Sequence, residues 1–388
     1  MSDEQTLFLV LVLLYLSDCV VWARQGAVAL TDKIGTGRFG IAALEILSNH
    51  HGRAMALNPL SPLSTAFLCQ AWPISLSPEG ICSYAVRGID DAGPLGNACR
   101  AIRWEDAVSV RTESNDVLIG GERLVRCSSR EPAVSLAARI AEIAGMGEDE
   151  RSEAIRHGLA ETLDAGRIAE RIEETRRETS VLRPLCVALF LLMFIGSPWV
   201  VSQHGFLRAI IALLSLGLPI HVAILAFSWR AHRRLCPVSR EERWQHLIMM
   251  LLCPPMAARV VDIVSRHALG LFHPIATAHA LCAPDAFREF AKRMLLRLRY
   301  PLGSEQLAPE ALAIETWFRE ETMHAIETFL REQEIDPIAL CELRLPDDAA
   351  YRAYCPRCHS GFLRDEGECP DCPGVRLAQI ETTGGTAS

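Results

Sequence analysis

Four cysteines near the C-terminus stand at metal-binding spacing: Cys355-Pro356-Arg357-Cys358, then ten residues, then Cys369-Pro370-Asp371-Cys372. Two C-x2-C turns place four thiolates around one tetrahedral ion. In such a turn the backbone N–H groups can point at the sulfurs and stabilise their charge, and proline after the first cysteine stiffens it. Zinc is the expected ion. Iron is the alternative, since four thiolates suit both, but the loop between the pairs is short and no flavin or other redox-partner motif accompanies it. A closed four-sulfur site has no open position for substrate, so its expected role is structural. His359 adjoins the first pair and is not needed as a ligand.

The paired turns resemble a zinc ribbon of the short, rubredoxin-knuckle type. That resemblance implies a unit over residues 351–380 that is folded by its metal and presents a surface to another macromolecule. Residues 381–388 read as a disordered tail.

Other chemistry-bearing fragments fail on context. Gly35-Thr36-Gly37-Arg38-Phe39-Gly40 fits a phosphate-loop pattern, and Ala308-Pro309-Glu310 spells a kinase fragment. No catalytic loop or D-F-G accompanies them, and no acidic residue follows at dinucleotide-site distance. Glu321-Thr322-Met323-His324 is one Glu-x-x-His step, where a di-iron bundle needs two plus further carboxylates. His267, His273 and His279 are spaced by six, which scatters them around a helix; capping or burial is expected of them. No catalytic residue is assigned, and a non-enzymatic role is expected.

The elements that carry the cysteines begin in three apolar runs, 6–23, 184–201 and 206–228. Each approaches the roughly 20 residues that cross about 30 Å of hydrocarbon. The first follows an acidic Met1-Ser2-Asp3-Glu4-Gln5, which argues against a signal peptide. The other two are joined by Ser202-Gln203-His204-Gly205 and read as a helical hairpin. Arg24, Lys33 and Arg38 follow the first run; Arg171, Arg176, Arg177 and Arg183 precede the second; Arg230, Arg233 and Arg234 follow the third. The positive-inside rule then sets the N-terminus and hairpin tip outside and residues 24–183 and 229–388 inside. The expected location is the cell (inner) membrane, multi-pass. Asp18 and His221 are ionisable groups within the runs, where a transport or enzymatic role is the sharper reading and interfacial or carbonyl contacts the plainer one. The stretch Leu247–Pro255 is too short to span and reads as a surface or core helix broken at Pro254-Pro255.

The N-terminal region, 24–146, carries β-prone runs at 66–75, 80–87, 107–113, 116–120 and 122–127, with Gly120-Gly121 suited to a tight hairpin. A helix follows, with Val134, Ala137, Ile140 and Ile143 on one face. With Arg103-Trp104-Glu105-Asp106-Ala107-Val108 leading into the hairpin, residues 60–145 resemble a bacterial PH-like domain, which implies a binding or packing module near a membrane. Residues 147–183 read as a charged helical stalk striped by Ile155, Leu159, Leu163, Ile168 and Ile172, broken near Asp164-Ala165-Gly166. Residues 229–350 form a helical region with amphipathic helices at 284–299 and 309–333.

Net charge is −8, with no basic stripe between aromatics, so nucleic acid is not an expected partner. Fourteen cysteines, ten of them scattered singly, suit a reducing compartment. The sequence therefore predicts an α+β multi-domain membrane protein: three transmembrane helices, a small sheet-plus-helix domain, a helical region and a C-terminal zinc ribbon. Its expected partners are the lipid bilayer and a protein docked through the ribbon, as a scaffold, assembly or regulatory component. Electron transfer at the four cysteines, or membrane chemistry at Asp18 and His221, are the alternatives. The oligomeric state is left open.

Overall fold

The computed structural model describes Thr6, Val10 and residues 28–31, 53–62, 66–70, 74–84, 99–107, 109–127, 130–237, 240–301, 307–343 and 351–380. The apolar run 6–23, with Asp18, and the glycine-rich segment 35–40 lie outside the described residues, save helical Thr6 and Val10.

Short β-prone runs separated by turn residues give three antiparallel sheets of three strands, each in chain order. The first holds β1 (Val28–Thr31), β2 (Arg53–Leu57) and β3 (Ala66–Gln70). The second holds β4 (Ile74–Leu76), β5 (Gly80–Tyr84) and β6 (Cys99–Arg103). The third holds β7 (Val110–Glu113), β8 (Asp116–Ile119) and β9 (Glu122–Arg126). Gly120 and Gly121, at φ +59° and +86°, make the β8–β9 turn as the sequence predicts.

The second and third sheets share one apolar core with helix α1 (Arg130–Ala144). Trp104 is sealed in it, its indole N–H donating to the Ser77 carbonyl at 2.8 Å. Ser83 Oγ donates to the Leu124 carbonyl and ties the two sheets together. The buried face of α1 is Ala133, Leu136, Ala137, Ile140 and Ile143, with Val134 only half-buried. A stripe started at 133 puts the larger Leu136 inward, and this larger apolar side chain decides the rotation.

Helices α2 (Glu148–Leu163) and α3 (Ala165–Glu178) meet at Asp164, whose carboxylate accepts from the Arg167 N–H at 3.0 Å and caps α3. Their apolar stripe is buried: Ile155 enters the sheet core, while Leu163, Ile168 and Ile172 enter a second, helical core.

Among the described residues two helices are long and apolar enough to cross a membrane, α4 (Leu182–His204) and α5 (Phe206–Leu235). They overrun the predicted spans because only Gly205, at φ +84°, breaks the helix between them. Their apolar windows are 28% and 18% buried within the protein, and Ile195, Trp199, Leu207, Leu214 and Val222 are exposed. Each contains one π-helical turn, Leu192–Gly196 and Leu213–Gly217, two residues ahead of Pro198 or Pro219. Proline has no N–H and crowds the carbonyl four residues back; widening the helix relieves that clash.

Helix α6 (Arg240–Leu252) exposes Trp244, Ile248, Met249, Leu251 and Leu252. It ends before Pro254-Pro255, as predicted. Helices α7 (Val260–Leu269), α8 (Pro274–Leu281), α9 (Pro284–Arg299) and α10 (Pro309–Glu332) complete the helical core with α3 and the inner part of α5. Helix α10 also covers the second sheet and lies along α2.

Candidate metal centre

Past the helical core the chain forms β10 (Ala353–Tyr354), β11 (Gly361–Phe362), β12 (Glu368–Cys369), β13 (Cys372–Arg376) and β14 (Ala378–Gln379). Strand β10 pairs with β11 and β14, and β12 with β13, all antiparallel. These strands are too short to hold a core; their shared interior is Cys355, Cys369, Cys372 and Val375, flanked by Phe362 and Leu377. Thiols stand at the centre of the unit where aliphatic side chains would otherwise pack, and together they could hold a metal ion.

The first C-x2-C closes as a tight turn. The Cys355 N–H donates to the Ser360 carbonyl at 2.9 Å and the His359 N–H to the Cys355 carbonyl at 2.8 Å. Backbone N–H groups of Arg357 and Cys358 point at the Cys355 sulfur, as the turn chemistry predicts. In the second pair Cys369 and Cys372 face each other across the β12–β13 turn. The four Sγ atoms lie within 4.8 Å of one another, and Cys358 Sγ stands 3.7 Å from Cys369 Sγ. Around a tetrahedral ion with bonds of about 2.3 Å, neighbouring sulfurs lie about 3.8 Å apart. The arrangement is on the scale of one tetrahedral metal ion. Cys355, Cys369 and Cys372 are buried and Cys358 is exposed. Burial raises the Cys372 thiol to about 11, opposed by the adjacent Arg357 guanidinium. A coordinated cation reverses that balance and holds the thiolate.

Sequence reasoning missed Arg357. It lies inside the first turn yet is only 6% exposed, because its Nε donates to the Tyr300 carbonyl at 3.0 Å and its Nη1 stands 3.7 Å from Cys372 Sγ. One guanidinium joins the cysteine cluster to the C-terminal end of α9. The only signal was a basic residue between two ligands, which spacing alone does not distinguish from a solvated charge.

The other candidates resolve separately. Glu321 is held by Arg156 through two bonds of 2.9 and 2.7 Å, which accounts for the Glu-x-x-His step without a metal. His273 caps α8, its Nδ1 accepting from the Ile275 N–H at 3.3 Å. His279 packs edge-on against Phe287 and Phe329. His267 is buried beside His232. His221 is buried on α5, turned away from the exposed face of the helix. Among the described residues no cysteine forms a disulfide.

Comparison with known proteins returns no match to family models, to curated proteins or to solved structures.

Proposed function

We propose that this chain is a membrane-anchored scaffold, assembly or regulatory protein whose C-terminal unit is a structural zinc ribbon that docks a protein partner. The observation that carries the reading is the four-sulfur cluster itself: it is tetrahedral in scale, closed, and fixed to the helical body by Arg357. A site without an open coordination position does no chemistry on a substrate. What it offers instead is a surface. The loop between the two cysteine pairs projects outward, with Leu363 68% exposed at its start. A lone large apolar side chain on a rigid, charged tip suits a protein contact centred on one anchor residue.

The membrane part of the proposal has three spans, 6–23, α4 and α5, with the N-terminus outside and the sheets, helical core and ribbon in the cytoplasm. It is supported by the lipid-compatible exposure of α4 and α5 and by the apolar face of α6 beside them. Trp229 and Trp244 pair at 4.8 Å between ring centroids where α5 meets α6, and Arg243 lies over Trp229 at 5.6 Å. Aromatic and cationic groups at that level suit a headgroup boundary. The two sheets share one core with α1, and we assign them a packing or binding role near that surface.

Affinity purification of the full chain from native membranes tests the docking reading, comparing wild type with a Cys355→Ser, Cys358→Ser variant present at equal level. Proteins recovered only with wild type support it; identical sets for both overturn it. A second reading, iron and electron transfer, draws on the exposure of Cys358. It requires a red-brown protein, and a colourless one rules it out.

A further inference from the structure

A second group of metal-ligand side chains is buried where α5, α6 and α7 converge, far along the sequence from the ribbon. His232 sits in the last turn of α5, and Cys236 lies one residue beyond its end. Glu242 and His246 come from α6, and His267 from the last turn of α7. His232 Nε2 stands 3.1 Å from His267 Nδ1, and Glu242 Oε2 stands 3.5 Å from the same nitrogen. One donor atom each from His232, Cys236 and His267 fall within 4.8 Å of one another. These three residues are 3%, 0% and 2% exposed.

The plain alternative is a hydrogen-bonded pair of neutral histidines. It accounts for one contact and leaves Glu242 Oε2, the atom that faces His267 Nδ1, buried without a hydrogen bond. A buried carboxylate oxygen without a donor calls for an ion or a water. Around a tetrahedral zinc with bonds of about 2.0–2.1 Å, ligand nitrogens lie about 3.3–3.4 Å apart. The His232–His267 separation is close to that.

We propose that His232, Cys236 and His267 bind a second divalent transition-metal ion, with the Glu242 carboxylate as fourth ligand. Two imidazoles, one thiolate and one carboxylate form a neutral complex with a divalent ion, the Cys236 thiol proton being released on binding. The neighbouring charges fit neutral ligands. Arg266 Nη2 lies 3.5 Å from His267 Nε2, and Arg243 donates to the Cys236 carbonyl. Glu131 lies against Cys236 as a further carboxylate. With its ligands this buried, the site admits no substrate. It is a clasp that fixes the inner end of α5 to α6 and α7.

The test is metal content of the full-length protein in detergent. Wild type is expected to carry two zinc ions per chain, and Cys236→Ala and Cys355→Ser, Cys358→Ser are each expected to carry one. Adding Co2+ to the apo form of the Cys355→Ser, Cys358→Ser variant should give one tetrahedral ion with a thiolate-to-metal charge-transfer band, and that band should vanish when Cys236→Ala is added. One zinc per wild-type chain that Cys236→Ala leaves in place overturns the proposal. So does a wild-type content of two that Cys236→Ala leaves unchanged.

Discussion

Asn58 donates from Nδ2 to Asp262 Oδ1 at 3.0 Å, a buried contact spanning 204 positions of sequence. The same side chain accepts the Leu60 N–H on its Oδ1 at 3.0 Å, turning the chain just after β2. One amide thus ends a strand of the first sheet and binds it to α7. Asn58→Ala removes a donor from a buried carboxylate, and a loss of about 2 kcal/mol in unfolding free energy is expected. Asn58→Asp should cost more, since it sets two carboxylates together. Urea denaturation followed by tryptophan fluorescence checks both; an unshifted midpoint for Asn58→Ala would mean the contact does not form.

His273 gives a pH signature. Burial lowers its pKa from 6.5 to about 4 in the folded chain. Between those values the unfolded chain holds a proton that the folded chain does not, so stability rises with pH across the window and falls on acidification from about 6.5 towards 4. The effect integrates to roughly 3 kcal/mol at most. Protonation would also remove the Nδ1 acceptor that caps α8. His273→Asn keeps a capping acceptor without the titration. Its thermal midpoint should change less between pH 7 and pH 5 than that of wild type, and equal slopes would refute the assignment.

Arg156 and Glu321 join α2 to α10 at the surface. The guanidinium holds the Glu321 carboxyl below its ordinary value, so the contribution is present above about 4.5 and is lost as pH falls through the lowered pKa. Side-chain exposures of 56% and 18% leave the pair open to screening, and Glu321→Gln should cost about 0.5 kcal/mol, less in high salt. A loss above about 2 kcal/mol would mean that Glu321 does more than pair with Arg156.

Leu216 is 59% exposed on α5, near the middle of its apolar run. Leu216→Arg should oppose insertion by about 2.5–3.5 kcal/mol. Alkaline extraction of membranes is expected to release a larger share of the variant than of wild type. Equal retention would remove α5 from the spans.

The sequence carried the local features and missed the distant ones. Cys355, Cys358, Cys369 and Cys372 were readable because C-x2-C is a short-range pattern with one geometric solution. Gly120-Gly121, Pro309 and Pro254-Pro255 marked element ends for the same reason: each acts on its own backbone. Arg357, Asn58 and the cluster of His232, Cys236, Glu242 and His267 were not readable. Each depends on partners brought together by packing, and the histidine spacing of 35 positions between 232 and 267 encodes no periodicity. Residues 148–178 read as a stalk because their charges alternate, yet Ile168 and Ile172 are buried, and only the arrangement of α7 and α8 reveals what they cover.

The two π turns of the hairpin lie against each other halfway along antiparallel helices. At such a turn a carbonyl loses its regular partner, and in hydrocarbon nothing else can supply one. Ser197 donates both its backbone N–H and its hydroxyl to the Leu192 carbonyl, the hydroxyl at 2.8 Å. The hairpin is packed at its root against α6 and α7, while its π turns widen both helices nearer the tip. In the membrane setting proposed above, a load on its tip, from bilayer curvature or a pressing neighbour, would fall on these turns before it reached the folded mass below.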